Sequence, residues 1–308
     1  MDNISKAINQ IKNNHPHIDI KSNEPMRNHT TFKIGGEVRL MIFPETTDGL
    51  TDIYDILYTN NITPFILGNG SNILVSDDFH DLVVISTSKL CAVSLLETDD
   101  TEYGDINAEA GVLLSNLAVF VYEKGLTGFE FAHGIPGTLG GAVVMNAGAY
   151  GGEMKDVVIN TVAYNKDKGI HRLTATDNDF SYRKSRFTST GDLVLSSTLR
   201  LKYGDKQSIK QKIDELSKRR RESQPLDLPS GGSTFKRPKE GYAAALIEQA
   251  GLKGYTAGGA QVSERHSGFI VNKGNATFSD VMAVIDHVQE TVFKQSGIEL
   301  ESEIKIIY

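Results

Sequence analysis

The stretch GIPGTLGGAVVMNAGAYGGE, residues 134–153, is the densest glycine region of this chain. Seven of the 29 glycines lie within it, and Gly128 precedes it closely. Each glycine costs chain entropy unless the backbone uses its positive φ or its bare Cα. The run therefore indicates a backbone surface that closely approaches a flat ligand, with a glycine-kinked pair of core strands as the alternative.

A second glycine loop, GNGSN at 68–72, lies between the predicted strands PFIL (64–67) and ILVSD (73–77). A dinucleotide fingerprint would continue into a helix, whereas the β-branched residues after this loop predict a strand, which argues against a Rossmann fold. Backbone N–H groups in glycine turns can form an anion nest, to which Ser71 and Asn72 would add side-chain donors. A plain hairpin turn remains open, because Asn-Gly is the strongest short hairpin signal.

A third glycine loop, GGSTFKRP at 231–238, places Ser233 directly after two glycines. This arrangement leaves the hydroxyl accessible to a substrate. Phe235 occupies the last position of what would be a G-x-S-x-G elbow, so a hydrolase triad is unsupported. A serine that donates a proton and an ordinary serine-rich loop both remain open.

Basic residues cluster on either side of this loop, although the chain as a whole is acidic. The run Arg219–Arg221 with Lys236 and Arg237 supplies five cations within nineteen positions. Guanidinium groups match phosphate oxygens, which favours a bound phosphate or diphosphate. The alternative is a solvated helix C-terminus, where arginine also interacts favourably with the helix dipole.

Composition excludes several classes of protein. The chain has 308 residues, of which 39% are hydrophobic and 23% charged, and its formal net charge of −7 disfavours nucleic acid as a partner. Cys91 is the single cysteine, so no intrachain disulfide or cysteine-based metal cluster is expected, and no metal site is predicted. Residues 1–25 lack a signal-peptide pattern, and no apolar run is long enough to span a membrane. We therefore expect a cytoplasmic protein without membrane insertion.

Hydrophobic periodicity predicts both helices and strands along the chain. A β-α-β-turn-β unit fills residues 37–90, and a charged helix begins after Gln207, where the composition changes. A long apolar stripe predicts a helix over 281–297, and EIKIIY (303–308) predicts a closing strand. A domain boundary is accordingly expected near residues 200–206.

Seven motifs occur in an order typical of one enzyme family. The motifs are TTFKIGG (30–36), LGNGSNIL (67–74), GIPGTLGGAVVMNAGAYGGE (134–153), SYRKSRF (181–187), GGSTFKRP (231–238), GGAQVSERHSGFIVN (258–272) and LESEIKII (300–307). On these motifs, from Asn28 to Ile307, the chain resembles the UDP-N-acetylenolpyruvoylglucosamine reductases, the flavoenzymes of peptidoglycan synthesis.

The resemblance implies an α+β FAD-binding fold of the vanillyl-alcohol-oxidase (PCMH) type. Two flavin-binding lobes at 1–90 and 91–204 would precede a C-terminal α+β substrate-binding domain at 205–308. Neither of the two glycine loops, 68–72 and 134–153, contains a histidine or cysteine that could form a covalent link, so the FAD should be noncovalent. The predicted cofactor-binding residues are Gly68, Asn69, Gly70, Ser71, Asn72, Gly134, Ile135, Pro136, Gly137, Gly140, Gly141, Asn146, Gly148 and Gly152.

The resemblance also implies the chemistry. NADPH would reduce FAD and leave, after which the enolpyruvyl group of UDP-N-acetylglucosamine enolpyruvate would accept hydride and a proton, giving UDP-N-acetylmuramate. Arg183 matches the arginine that stabilises the enolate, Glu303 its carboxylate partner, and Ser233 the proton donor. The predicted substrate-binding residues are Tyr182, Arg220, Lys236, Arg237 and His266.

One departure from the longer family members is visible in the sequence. The segment Leu201 to Ser208 leaves no room for the inserted loop whose tyrosine covers the substrate, so the chain resembles the shorter form. A monomer is expected. The alternatives are an FAD-dependent oxidase of a sugar or small alcohol on the same fold, and a nonenzymatic module that binds a nucleotide sugar.

Overall fold

The computed structural model describes residues 2–308. The chain divides into two compact units. The first unit comprises the residues up to Ser22, together with Leu40–Asn69 and Leu82–Lys218, and the second comprises Asn23–Arg39, Gly70–Asp81 and Arg219–Tyr308. Each unit consists of three separate stretches of the chain, whereas the three domains expected from the sequence are each continuous. The boundaries of those domains stay a prediction.

The structure contains the three helices that periodicity predicts, within residues 37–90, after Gln207 and over 281–297. It has eight α-helices in the part described. They are α1 Asn3–Asn14, α2 Thr47–Thr59, α3 Leu114–Glu123, α4 Leu139–Met145, α5 Phe187–Thr190, α6 Lys206–Ser223, α7 Ala243–Gln249 and α8 Phe278–Ser296.

The strands include each segment predicted between residues 37 and 90. They are β1 Asp19–Pro25, β2 Glu37–Phe43, β3 Phe65–Leu67, β4 Ile73–Val75, β5 His80–Ser86, β6 Val93–Leu95, β7 Tyr103–Glu109, β8 Leu126–Thr127, β9 Gly148–Ala149, β10 Gly152–Glu153, β11 Val158–Asn165, β12 Gly169–Thr174, β13 Leu193–Tyr203, β14 Ser230–Ser233, β15 Thr256–Ala257, β16 Ala260–Val262, β17 Phe269–Asn272 and β18 Lys305–Ile307.

An antiparallel sheet forms the centre of the first unit. Its strand order is β12-β11-β13-β7-β6, and β8 pairs with the end of β13. Buried residues alternate with partly exposed ones along β7, as expected for a strand with one face on the core. Ile106 and Ala108 of this strand are fully buried against Leu117 of α3 and Leu139 of α4, among others.

The strands on either side of the GNGSN loop do not form a hairpin. β3 pairs in parallel with β5, in the sheet of order β1-β2-β5-β3, whereas β4 pairs in parallel with β18. The hairpin alternative for residues 68–72 is therefore wrong. Asn-Gly is a local turn signal, and it carries no information about partners supplied by distant strands.

Helix α8 and the sheet β14-β17-β16-β15 build the second unit. Thr277 and Asp280 form a capping box at the start of α8, and Gly297 ends the helix in the left-handed region. The predicted apolar stripe is confirmed, and burial of each of its side chains contributes roughly 1.5–3 kcal/mol. The stripe consists of Val281, Val284, Ile285, Val288 and Val292.

Within residues 2–308, none of the helices is both long enough and apolar enough to cross a bilayer.

Candidate functional site

The glycine-rich tract forms a loop, a short helix and a two-stranded ribbon. Residues 134–138 lead into α4, whose last turn ends at Asn146 with φ of 42° and ψ of 54°. β9 and β10 then pair antiparallel through Gly148 and Glu153. The tract is thus neither a plain turn nor a pair of long core strands.

Part of the glycine content serves close packing inside the protein. A Cβ on Gly140 would lie 2.9 Å from the Ala110 side chain, and one on Gly152 would lie 2.6 Å from the Phe131 ring. A Cβ on Gly148 would lie 2.7 Å from the carbonyl oxygen of Gly152. The sequence argument that bare backbone faces a ligand therefore does not account for these three glycines. Gly134, Pro136 and Gly141 are exposed and stay candidates for cofactor contact.

The first half of the GNGSN loop meets the glycine-rich tract within the first unit. The Asn69 amide donates to the carbonyl oxygen of Pro136 at 2.6 Å, and a Cβ on Gly68 would lie 2.4 Å from the Thr138 hydroxyl oxygen. That hydroxyl is buried and has no hydrogen-bond partner within the described chain. A polar group buried without a partner is costly, so this hydroxyl is suited to a ligand that approaches both loops. Thr138 is a site candidate that the sequence reasoning missed.

Arg183 lies in a tight turn of the first unit. Backbone hydrogen bonds join Ser181 and Lys184 in both directions, at 2.9 and 3.2 Å. Arg183 itself has φ of 55°, a left-handed conformation that is uncommon for a long side chain and often marks a functional residue. Its Nη2 donates to the carbonyl oxygen of Gly148 at 3.4 Å, so the turn contacts the glycine-rich tract. The exposed Tyr182 ring lies 5.2 Å from the Arg183 guanidinium carbon.

A carboxylate that the sequence reasoning missed lies beside this turn. Glu153 Oε2 is 2.9 Å from Lys155 Nζ and accepts a hydrogen bond of 2.9 Å from Asn146 Nδ2. The hydrogen bond from Lys155 lowers the pKa of the Glu153 carboxyl, and the bond from Asn146 and the charge of Arg183 act in the same direction. Glu153 is therefore anionic near neutral pH.

The second half of the GNGSN loop belongs to the second unit. Gly70 has φ of 58°, and its carbonyl oxygen accepts a hydrogen bond of 3.2 Å from Thr31 N. The Asn72 amide donates to the carbonyl oxygen of Glu303 at 3.1 Å, and Lys305 N donates to the Asn72 carbonyl oxygen at 3.0 Å. Asn72 thus anchors the backbone that carries Glu303. This structural role was not predicted from the sequence, and the predicted contact of Asn72 with the cofactor stays a prediction.

Ser233 is exposed because its strand bulges. The pairing of β14 with β17 shifts register between Ser230 and Ser233, and Gly232 takes φ of 81° within that shift. The next residue, Thr234, is fully buried and donates its N–H to the carbonyl oxygen of Gly268 at 2.8 Å. The sequence expectation of an accessible hydroxyl after two glycines is confirmed.

The backbone of Glu303 pairs with the residue that follows Ser233, in the second unit. Its backbone N–H donates to the carbonyl oxygen of Thr234 at 2.8 Å, and Phe235 forms an antiparallel bridge with Ser302. Lys236 N donates to the carbonyl oxygen of Glu301 at 2.8 Å. Two of the three predicted catalytic residues are therefore held by neighbouring extended segments.

The remaining predicted cations of this unit have protein partners. Arg237 lies over the exposed Tyr242 ring at 4.2 Å, and the Lys236 ammonium pairs with the Glu301 carboxylate. Arg220 Nε donates to Gln224 Oε1 at 2.8 Å. These contacts orient the side chains. Substrate binding by them stays a prediction.

His266 is packed against the strand that pairs with β14. Its ring meets Phe269 edge-on at 4.9 Å, and its Nδ1 accepts a hydrogen bond of 3.2 Å from Gly268 N. Phe269 is in turn the register partner of Ser233. Burial lowers the pKa of the imidazole below its ordinary value, so His266 is neutral near pH 7.

The burial of His266 predicts a loss of stability on acidification. Below pH 6.5 the unfolded chain binds a proton at this histidine that the folded chain resists, so the free energy of unfolding should fall from that pH down to the lowered folded pKa. We expect the melting temperature to drop less between pH 7.5 and 5.5 in His266→Gln than in the unmodified chain. The exposed His17 provides the control, because His17→Gln removes a histidine from the surface rather than from a buried position. Equal drops in the unmodified chain and in His266→Gln would contradict the assignment.

Two family models match the chain. One, described as "UDP-N-acetylenolpyruvoylglucosamine reductase, C-terminal domain", matches residues 224–307, and the other, "FAD binding domain", matches residues 38–173. The curated relatives include a UDP-N-acetylenolpyruvoylglucosamine reductase of Caldanaerobacter subterraneus subsp. tengcongensis, 50% identical over 92% of each chain. Another, from Clostridium novyi, is 44% identical over 94% of this chain and 92% of its own length.

A solved structure is similar over nearly the whole chain. It is the crystal structure of UDP-N-acetylenolpyruvylglucosamine reductase (MurB) from Thermus caldophilus, with a TM-score of 0.79 and 30% sequence identity. The match covers 95% of this chain and 99% of that one. The two glycine loops, the arginine turn and the Ser233 bulge therefore lie on an architecture shared with that protein.

Proposed function

The chain belongs to the UDP-N-acetylenolpyruvoylglucosamine reductase family, and from this premise we propose that it reduces UDP-N-acetylglucosamine enolpyruvate to UDP-N-acetylmuramate with NADPH and FAD. The product is a precursor of the peptidoglycan cell wall. The chain has the α+β FAD-binding fold of its family, in the short form without the tyrosine loop.

The residues of the glycine loops fit an FAD. The buried Thr138 hydroxyl lacks a hydrogen-bond partner within residues 2–308. It lies so close to Gly68 that a side chain at position 68 would collide with it. We assign Thr138, Gly68, Asn69 and the exposed Gly134 and Gly141 to holding the cofactor. When bound, FAD supplies hydride transfer between NADPH and the substrate.

The observation that carries the proposal is the pairing of the Ser233 and Glu303 segments. Thr234 is buried, and its carbonyl oxygen accepts a hydrogen bond from the N–H of Glu303. The bulge that exposes Ser233 is therefore fixed beside the backbone segment that carries the Glu303 carboxyl group. An ordinary hydroxyl is a weak acid and must be positioned to transfer a proton. In our proposal, Ser233 Oγ–H gives its proton to the carbon next to the substrate carboxylate, and the Glu303 carboxyl assists at the developing enolate.

Arg183 has the complementary role in the proposal. Hydride addition to the terminal methylene carbon leaves negative charge on the enolate oxygens of the pyruvyl group. A fixed guanidinium stabilises such charge most strongly where water is excluded. The left-handed backbone and the hydrogen bond to Gly148 fix the direction of this side chain before substrate arrives.

A spectroscopic titration tests the proposal. The purified protein, supplied with FAD if needed, should show flavin absorbance that NADPH bleaches and that UDP-N-acetylglucosamine enolpyruvate restores anaerobically, with formation of UDP-N-acetylmuramate. A protein that cannot be reconstituted with FAD would contradict the proposal. Turnover of a sugar alcohol with oxygen and without NADPH would instead support the oxidase alternative.

The proposal includes a monomeric enzyme in the cytoplasm. A single cysteine, Cys91, is consistent with a reducing compartment. Sedimentation of the FAD-loaded protein at the mass of one 33.7 kDa chain would support the monomer, and a dimer at micromolar concentration would refute it.

A further inference from the structure

The Asn146 side chain joins three segments of the first unit. Its Nδ2 donates to Glu153 Oε2 at 2.9 Å and to the carbonyl oxygen of Ser181 at 3.0 Å, and its Oδ1 accepts from Lys155 N at 2.9 Å. The residue is fully buried. Both amide hydrogens and the carbonyl oxygen are thus engaged by the protein, which leaves the side chain no donor for a cofactor.

The local backbone explains why this position carries asparagine. Asn146 ends α4 in the left-handed conformation, with φ of 42°. Asparagine and glycine adopt that conformation more readily than other residues. Glycine would lack the amide, and aspartate would lack both donors. Asparagine therefore satisfies the backbone and the three hydrogen bonds together.

The same hydrogen bonds determine where Arg183 lies. Ser181, whose carbonyl oxygen Asn146 holds, begins the turn that contains Arg183. The Arg183 guanidinium donates to Gly148, which pairs with Glu153 across the β9-β10 ribbon, and the charge of Arg183 acts on the carboxyl group of Glu153. One buried amide thus links the start of the turn to the ribbon that receives the arginine.

We propose that Asn146 is a positioning residue for Arg183. In contrast to the sequence-based prediction, the Asn146 side chain would not contact FAD. The inference rests on the proposed function, because it presupposes that Arg183 stabilises the enolate. A displacement of a catalytic group by about 1 Å can cost about 100-fold in rate. Loss of the amide should therefore slow reduction of the enolpyruvyl group and leave reduction of FAD by NADPH intact.

Asn146→Asp tests the proposal, because it keeps the shape and replaces the two donors by an oxygen that faces Glu153 and the Ser181 carbonyl. In stopped-flow experiments on the FAD-loaded protein, we expect reoxidation of the reduced enzyme by substrate to slow about 100-fold. The NADPH half-reaction should stay within about twofold of the unmodified rate. Asn61 is the matched control, since it is exposed and left-handed with φ of 58° in the same unit. Asn61→Asp should leave both rates unchanged.

A double-mutant cycle separates positioning from general support of the fold. If Asn146 acts through Arg183, the Asn146→Asp change should cost less than about threefold once Arg183→Lys is present, because the arginine is no longer there to misplace. A persistent cost of about 100-fold in that background, or an equal loss in both half-reactions, would overturn the inference.

Two further outcomes are distinguishable. If Asn146→Asp does not fold, Asn146→Gly, which accepts the left-handed backbone, should show the same selective loss, and normal substrate turnover by it would refute positioning. If Arg183→Lys alone leaves both half-reactions unchanged, the role of Arg183 in the proposed function fails, and the positioning inference fails with it.

Discussion

Replacing Ser233 with alanine is expected to slow reduction of the enolpyruvyl substrate severely while NADPH still bleaches the flavin. Positioned proton transfer by a side chain contributes typically 10²–10⁴-fold, so we expect the second half-reaction to slow by about that factor. The side chain is exposed at the bulge, so the melting temperature should change little. Stopped-flow absorbance of the two half-reactions, measured separately, gives the result.

Two controls make the Ser233 experiment specific. Ser279 is an exposed serine in the first turn of α8, in the same unit, and Ser279→Ala should change neither half-reaction. Deuterium should still enter the product from solvent in the unmodified enzyme, at the carbon beside the carboxylate. A Ser233→Ala enzyme that turns over substrate at the unmodified rate would show that another group delivers the proton. A loss confined to the NADPH half-reaction would contradict the assignment of Ser233 to proton transfer in the second half-reaction.

The elements most accessible to sequence reasoning are those determined by periodicity. The stripe of α8 repeats at helical spacing, and its members, Val281 and Val288 among them, are fully buried. The pairing of strands is different in kind. β4 pairs with β18 from the opposite end of the chain, and nothing local to GNGSN reports that partner. The hairpin alternative failed for this reason.

The candidate site shows the same limit. The two glycines before Ser233 predict its accessible hydroxyl, although they do not predict the register shift that exposes it. In contrast, the bond from Asn146 to Ser181 joins residues 35 positions apart and depends on how α4 ends. Glycine count misleads in one respect: Gly140 and Gly152 are required by Ala110 and Phe131 rather than by a ligand. Composition indicates that bare backbone is used, and only the fold identifies what approaches it.

Replacing Arg183 with glycine is expected to stabilise the fold and disable the enzyme. Glycine removes the strain of a left-handed arginine, which costs about 1–2 kcal/mol for a residue with a Cβ, so the melting temperature should rise or stay constant. Removal of a donor aimed at a developing oxyanion typically costs about 10²–10³ in rate. We therefore expect the second half-reaction to slow by about that factor, with flavin reduction by NADPH preserved.

Lys33 is the matched control for this trade-off, because it is also a cation in the left-handed region, with φ of 58°, and it is exposed in the second unit. Lys33→Gly removes the same backbone strain and the same unit of charge, so it should raise the melting temperature by a similar amount and leave both half-reactions unchanged. If Arg183→Gly lowers the melting temperature while Lys33→Gly raises it, the contacts of Arg183 with Gly148 outweigh its backbone strain. If both variants keep full activity, the conformation of Arg183 is a feature of the turn alone, and the enolate must be stabilised by another group.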